Sequence, residues 1–407
     1  MILFLTTLSL VFIGNAMADW SPIERNLAKN IAVNEPGYIS TARANCWARG
    51  IKSLKSDHLL SRESFESFHT KHPVEFDILI PNHLFSSNET SYQVIHIFPG
   101  IFGNTDDGIM YIFIDQILAA GNIVAVYPNP LSKQYFKSVP KKISAGNLEE
   151  EADFFKHLVF EAENRLKKKL PKAKKEKSRF LGLSYGAFIS SIVSAKINQT
   201  HPNFVSELVL FSPPLEMKSA LAYVDKSLKQ MEKEFSHFPV VYDGVKMWQV
   251  CNSKIQDYES YLPTAKKMVL HMGFLESLSN SLVTYMQNRG EWHFWWYPFR
   301  LMTNNYFQWK KSLRFSKVIN DFKLTRTKMF LSSQKARLDY WLNLLRKNPK
   351  AQIKIYSAKD DFLNSEKSWD GANIPKKSLI LREKGGHLGF LDRPAFVDLL
   401  NQIYRPN

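Results

Sequence analysis

Ser184, His387 and the neighbouring aspartates Asp360 and Asp361 are the residues of this chain whose types and order could do chemistry. Ser184 lies in Gly182-Leu183-Ser184-Tyr185-Gly186, directly after the strand-like Ser178-Arg179-Phe180-Leu181 and just before an apolar, helix-like run over 187–197. Small residues around a serine between strand and helix permit a strained turn that lifts the hydroxyl above a sheet edge. A serine hydroxyl is a poor nucleophile at neutral pH. It needs an imidazole to take its proton, a carboxylate to orient that imidazole, and donors for the developing oxyanion. That chemistry is acyl transfer.

The elements that must position these groups can be read around them. His387 lies in Lys384-Gly385-Gly386-His387-Leu388-Gly389-Phe390, on a Gly-rich loop after the strand-like Ser378-Leu379-Ile380-Leu381-Arg382. Asp360 and Asp361 close the strand-like Gln352-Ile353-Lys354-Ile355-Tyr356-Ser357, so either could be the acid, at the carboxyl edge where open α/β sheets place their ligands. Upstream, Tyr92-Gln93-Val94-Ile95-His96-Ile97-Phe98 runs into Pro99-Gly100-Ile101-Phe102-Gly103-Asn104. The amides of Ile101 and Tyr185 are the oxyanion-hole candidates. Each piece alone is an ordinary turn or loop. Together, in the order Ser, Asp, His and each at the end of a strand-like run, they make a catalytic set. His96 is mid-strand and reads as a satisfied core histidine. His271 and His293 precede the acid and read as packing or surface residues.

The chain resembles the α/β-hydrolases, and its Gly-Gly-His-Leu-Gly-Phe run is similar to that of the branch holding the plant embryogenesis-associated hydrolases and their bacterial relatives. The resemblance covers roughly 74–404 without the variable insert. It implies the α/β-hydrolase fold: a mostly parallel twisted sheet with helices on both faces and a helical cap. It also implies a catalytic Asp361, because the acid motif of that branch reads Asp-Asp-Pro with the second aspartate active. Phe362 stands here in place of the proline, and Pro99-Gly100 in place of a His-Gly that begins the oxyanion loop. The activity implied is that of a carboxylic ester hydrolase of esterase or lipase type acting on a small-molecule or lipid ester. Acyltransferase or serine peptidase chemistry on the same triad, or a binding protein on the same fold, are the rivals.

The 407 residues, 44% hydrophobic and 13% aromatic, describe a globular protein with a large core. Residues 1–18 read as a secretory signal peptide, apolar over 2–13 and ending in Ala16-Met17-Ala18, with an uncleaved membrane anchor as the competitor. Residues 19–73 read as an N-terminal helical extension, 74–214 and 350–407 as the hydrolase core, and 215–349 as the cap or lid. The expected location is periplasmic or extracellular. Export permits a disulfide between Cys46 and Cys251, though two buried free thiols fit the sequence as well. No paired Cys or His spacing suggests a zinc site and no phosphate loop is present, so no metal and no cofactor is expected.

The net charge of +16 invites a nucleic-acid reading. Its densest run, over 165–177, leads into the amino end of the nucleophile strand, away from the site. It reads as a solvated helix end and loop that favours peripheral contact with an anionic membrane surface and no nucleic-acid partner. Within the insert, Trp292-His293-Phe294-Trp295-Trp296-Tyr297-Pro298-Phe299 is unusually aromatic. These rings read as the cap's own small core. Trp292, Trp295 and Trp296, with Phe102 from the oxyanion loop, are the substrate-wall candidates.

Overall fold

The structure, a computed structural model, describes residues 35–407 apart from 52, 57, 66–72, 87–90, 102, 104, 139–142, 235–243, 253–254, 256, 290–313, 349, 365–368, 392–393 and 405–407. The leader, the aromatic run over 292–299, and the candidates Phe102, Trp292, Trp295 and Trp296 lie outside the described residues.

Eight strands form one sheet: β1 (His58–Phe65), β2 (Val74–Pro81), β3 (Ser91–Phe98), β4 (Ile123–Val126), β5 (Lys174–Leu183), β6 (Val205–Phe211), β7 (Gln352–Ala358) and β8 (Leu379–Arg382). Their spatial order is β1-β2-β4-β3-β5-β6-β7-β8. β1 pairs antiparallel with β2 and β2 antiparallel with β4, while the other pairs are parallel. The principal helices are α1 (Gly37–Gly50), α2 (Gly108–Ala119), α3 (Leu148–Lys169), α4 (Tyr185–Thr200), α5 (Met217–Glu234), α6 (Gly244–Asn252), α7 (Tyr258–Lys266), α8 (Glu276–Arg289), α9 (Phe315–Asp321), α10 (Thr325–Leu331), α11 (Leu338–Arg346) and α12 (Pro394–Tyr404). A π-helical stretch, Lys267–Leu275, joins α7 to α8.

The central strands are apolar on both faces because both are covered. Val94 and Phe98 of β3 and Leu208 and Leu210 of β6 join the core with Phe155 of α3 and Phe188 of α4. Their neighbours Ile95, Ile97, Val209 and Phe211 turn to the opposite core, with Phe113 of α2 and Phe396 of α12. That period-two alternation gives a mostly parallel sheet with helices on both faces, the architecture of the α/β-hydrolase fold. α3 presents Phe154, Phe155, Leu158, Val159, Ala162 and Leu166 as one buried stripe. Between β6 and β7 the described residues are helical and contain no strand.

Two readings are corrected. The stretch taken as wholly helical contains β1, which is held by its backbone pairing to β2 across the full register His58↔Pro81 to Phe65↔Val74. Its Leu59 and Leu60 are 45% and 49% exposed, so burial left little pattern to read. The basic run is not all helix end and loop, because Lys174 onward belongs to β5 and pairs with Ser91 and Tyr92 of β3. Three of its cations have carboxylate partners: Arg165 and Lys169 reach Glu63 of β1, and Lys175 reaches Glu163. Lys175 also lies over the Phe204 ring at 4.4 Å. Among the described residues no helix is long and apolar enough to cross a membrane.

Candidate active site

Every group singled out for catalysis stands at the carboxyl edge of the parallel strands: Ile101 after β3, Ser184 and Tyr185 after β5, Asp361 after β7 and His387 after β8. Ser184 caps α4 with φ 53° and ψ −121°. A non-glycine residue held there costs about 1–3 kcal/mol, and the packing around it makes the turn compulsory. A Cβ on Gly186 would sit 2.1 Å from the carbonyl oxygens of both Phe98 and Pro99. One on Gly182 would sit 2.3 Å from Ser190 Oγ. Gly186 therefore lets the nucleophile turn close on the loop after β3, and Gly182 lets β5 close on α4.

His387 Nε2 lies 2.6 Å from Ser184 Oγ, and its Nδ1 lies 3.0 Å from each oxygen of Asp361. Asp361 is fully buried as a side chain and the imidazole is 11% exposed. The backbone N–H of Leu363 donates to Asp361 Oδ1 at 3.0 Å, which fixes the carboxylate. Asp360 serves the loop and not the ring, because its Oδ1 accepts the Gly386 N–H at 2.8 Å and so pins the segment that carries the histidine. Burial pushes the Asp360 carboxyl above its usual range. Phe362, where the resemblance places a proline, packs its ring 4.7 Å from Tyr38 and 5.4 Å from His387.

Tyr185 opens α4, so its amide has no acceptor within the helix and lies at the positive end of the helix dipole. Ile101 borders the same cavity as Ser184 and His387. Four residues brace these groups that the sequence alone did not single out. Asn129 Nδ2 donates to Pro99 O at 2.9 Å, its backbone N–H donates to Gly103 O at 3.0 Å, and its Oδ1 accepts from Leu131 N–H at 2.9 Å. It ties down both ends of the loop that carries Ile101. Thr41 of α1 accepts the His387 N–H through Oγ1 at 2.9 Å and donates to Gly37 O at 2.7 Å. Ser212, with φ 45°, accepts the Leu388 N–H at 3.2 Å, and Leu388 is itself at φ 61°. Glu151, buried below the nucleophile turn, accepts the Gly146 N–H at 2.8 Å and the Tyr185 hydroxyl at 3.4 Å, and burial raises its carboxyl to about 8. No single one of these has a motif. A polar residue following a strand, as Asn129 does, was the only available signal.

His96 takes no part in the catalytic line. His96 is fully buried, with Nδ1 2.8 Å from Tyr127 Oη and Nε2 3.0 Å from Glu163 Oε1. Burial lowers its pKa, so the neutral ring donates to Glu163. Hydrogen bonds from His96 and Lys175 outweigh the burial of Glu163 and hold that carboxyl below its usual range.

A cavity of about 780 Å³ opens over Ser184 and His387, between α1 on one side and α5, α6 and the π-helical stretch on the other. Cys46 of α1 and Cys251 of α6 are joined in a disulfide, which settles the alternative left open by the sequence. The bridge fastens the helix that carries Thr41 to the helices over the site. Among the described residues no group of three or more His, Cys, Asp or Glu is placed to hold a metal ion.

No family model and no curated protein matches this chain. Among solved structures it is similar to fungal esterases from Rhizomucor miehei, at 15% identity over 94% of each chain with a TM-score of 0.44. It is also similar to a hyperthermophilic esterase from the archaeon Pyrobaculum calidifontis, at 12% identity over 94% of this chain and 96% of that one, TM-score 0.39. A third is the carboxylesterase CesB from Bacillus subtilis, at 11% identity over 90% of this chain and 96% of that one, TM-score 0.42. At such identities the chemistry has to be read from the atoms of this chain.

Proposed function

We propose that the chain is a serine hydrolase that cleaves carboxylic esters through an acyl-enzyme. The observation that carries this reading is the continuous line from Ser184 Oγ to His387 Nε2, and from His387 Nδ1 to both oxygens of a buried Asp361. In the first half-reaction Ser184 Oγ attacks the carbonyl carbon while its proton passes to His387 Nε2. The tetrahedral oxyanion is held by the amides of Ile101 and Tyr185. Asp361 keeps the imidazole in the tautomer whose Nε2 can accept, and stabilises the imidazolium. The C–O bond to the leaving group breaks as His387 returns the proton to that oxygen. Water then gives a proton to His387 and its oxygen attacks the acyl carbon. The Ser184 Oγ bond breaks, the proton returns to Ser184, and the carboxylic acid leaves.

Hydrolysis of nitrophenyl esters by the full chain, with Ser184→Ala and Asp361→Asn alongside, tests this. Ser184→Ala should lose several orders of magnitude of turnover, and Asp361→Asn about 10⁴-fold, a smaller loss, as in other serine triads. Activity of Ser184→Ala within about tenfold of the parent would refute the assignment. The Cys46–Cys251 bridge supports work in an oxidising compartment, periplasmic or extracellular.

A further inference from the structure

Resting on the hydrolase reading, we propose that the ester carries a long, unbranched aliphatic chain, held in the chamber above Ser184 and His387. At about 780 Å³ that chamber lies in the upper part of the range of ligand pockets, roughly 300–1,000 Å³. A short ester would leave most of it empty.

Its lining is mostly apolar, with Thr41, Asn45, Asn252 and Ser277 as uncharged polar members. Met110, Met217, Met247 and Met268 all line it, drawn from α2, α5, α6 and the π-helical stretch. Thioether side chains reshape at little cost and suit a ligand with many conformers. Ala42, Ala44 and Ala48 of α1 supply a smooth wall on the other side. No Lys or Arg lines the chamber among the described residues. Its carboxylate, Asp107, is engaged as the N-cap of α2, accepting the Ile109 N–H at 3.2 Å. A charged group placed along the chamber would therefore lose its water without gaining a counter-ion, which is costly. A neutral hydrocarbon chain loses nothing there and gains burial along its whole length.

The chamber also has an opening suited to such a chain. Trp47 of α1 and Trp248 of α6 both line it, yet they are 40% and 62% exposed. They mark where it meets solvent, on the two helices that the Cys46–Cys251 bridge joins. Rings at the entrance and flexible thioethers within give an amphipathic lip and an apolar interior.

The chain could belong to the acyl or the alcohol half of the ester, so the test has two arms. The full chain is assayed on nitrophenyl esters from acetate to palmitate, and on alkyl acetates from ethyl to hexadecyl, at constant detergent. kcat/KM should climb along one arm by up to about fourfold per methylene until the chamber fills, and that arm identifies the half. Ala220→Trp and Met217→Trp, which project bulk into the chamber from α5, should lower the ratio of long-chain to short-chain kcat/KM by about tenfold or more, since several methylenes lose their burial. Should neither variant fold, labelling of Ser184 in the parent by dodecyl and ethyl phosphonates gives the same comparison, with the dodecyl reagent expected to react faster. Ser184-dependent turnover that is flat or falls with length on both arms overturns the chain proposal and leaves the hydrolase reading standing. No turnover of any ester and no labelling of Ser184 overturns the hydrolase reading itself.

Discussion

Thr41 is the sharpest place to test how the site is held together, because it belongs to a helix outside the sheet and contributes no atom to the reaction. Its hydroxyl accepts the His387 N–H at 2.9 Å, and the residue is 4% exposed. Thr41→Val keeps the shape and removes the acceptor. Leaving a buried N–H without a partner costs about 1–3 kcal/mol. The loss of the Thr41 bond to Gly37 O adds little, since that carbonyl retains its helical partner. If the whole cost fell on the transition state, kcat would drop by about fivefold to 150-fold. If it fell on folding, the unfolding midpoint would drop instead. Measuring kcat on a short ester together with urea unfolding apportions the two. Thr41→Ser restores the hydroxyl and should recover most of kcat, which a purely packing role would not do. Parental kcat within about twofold and an unchanged midpoint in Thr41→Val would show that α1 does not position the histidine.

Asn129→Asp keeps the acceptor for Leu131 and loses the donor to Pro99 O. It should lower kcat by about tenfold or more with folding largely retained, read by ester hydrolysis beside circular dichroism. Glu151 gives a signed pH dependence: burial raises its carboxyl from 4.5 to about 8 in the fold, so its contribution is fully present below about 4.5 and is lost as pH rises through 8. Glu151→Gln should therefore flatten the decline in urea-unfolding stability between pH 5 and 8.5, a decline of a few kcal/mol, and identical slopes in the two proteins would disprove it. Replacing Cys46 and Cys251 together by serine opens a link between residues 205 apart, for which the chain-entropy relation gives a ceiling of about 5 kcal/mol. The unfolding midpoint of the double variant should fall accordingly, and parental stability would mean that the bridge constrains nothing.

The parallel sheet was legible because its inner strands include short continuous apolar runs, as in Ile123 to Val126 and Leu208 to Phe211. Their covered faces leave such a pattern, and their shortness and β-branched residues tell them from buried helix segments. β1 was not legible, since its stability comes from backbone pairing with β2 and its leucines stay in water. Ser184 and His387 announced themselves through glycines that the turn geometry requires. Asp361 could be told from Asp360 only by a resemblance, because adjacent carboxylates at a strand end look alike until one is seen to reach an imidazole and the other a backbone amide. Asn129, Thr41 and Ser212 were invisible for a related reason: each acts through hydrogen bonds to residues distant in sequence. The place of α1 in the chamber wall was likewise out of reach, since nothing in its sequence says which face it covers.

The contact between Thr41 and His387 spans 346 positions. During synthesis α1 leaves the ribosome long before the loop it steadies exists, and it meets Cys251 midway between. Native pairings of such long range are slow to form, and domains in this position wait partly folded with apolar surface uncovered. Turnover is therefore a late reporter: sheet and helices can assemble and give a native-looking spectrum while the histidine still lacks its support. Refolding followed by ester hydrolysis will lag behind refolding followed by circular dichroism, and the interval between the two is the time α1 takes to dock.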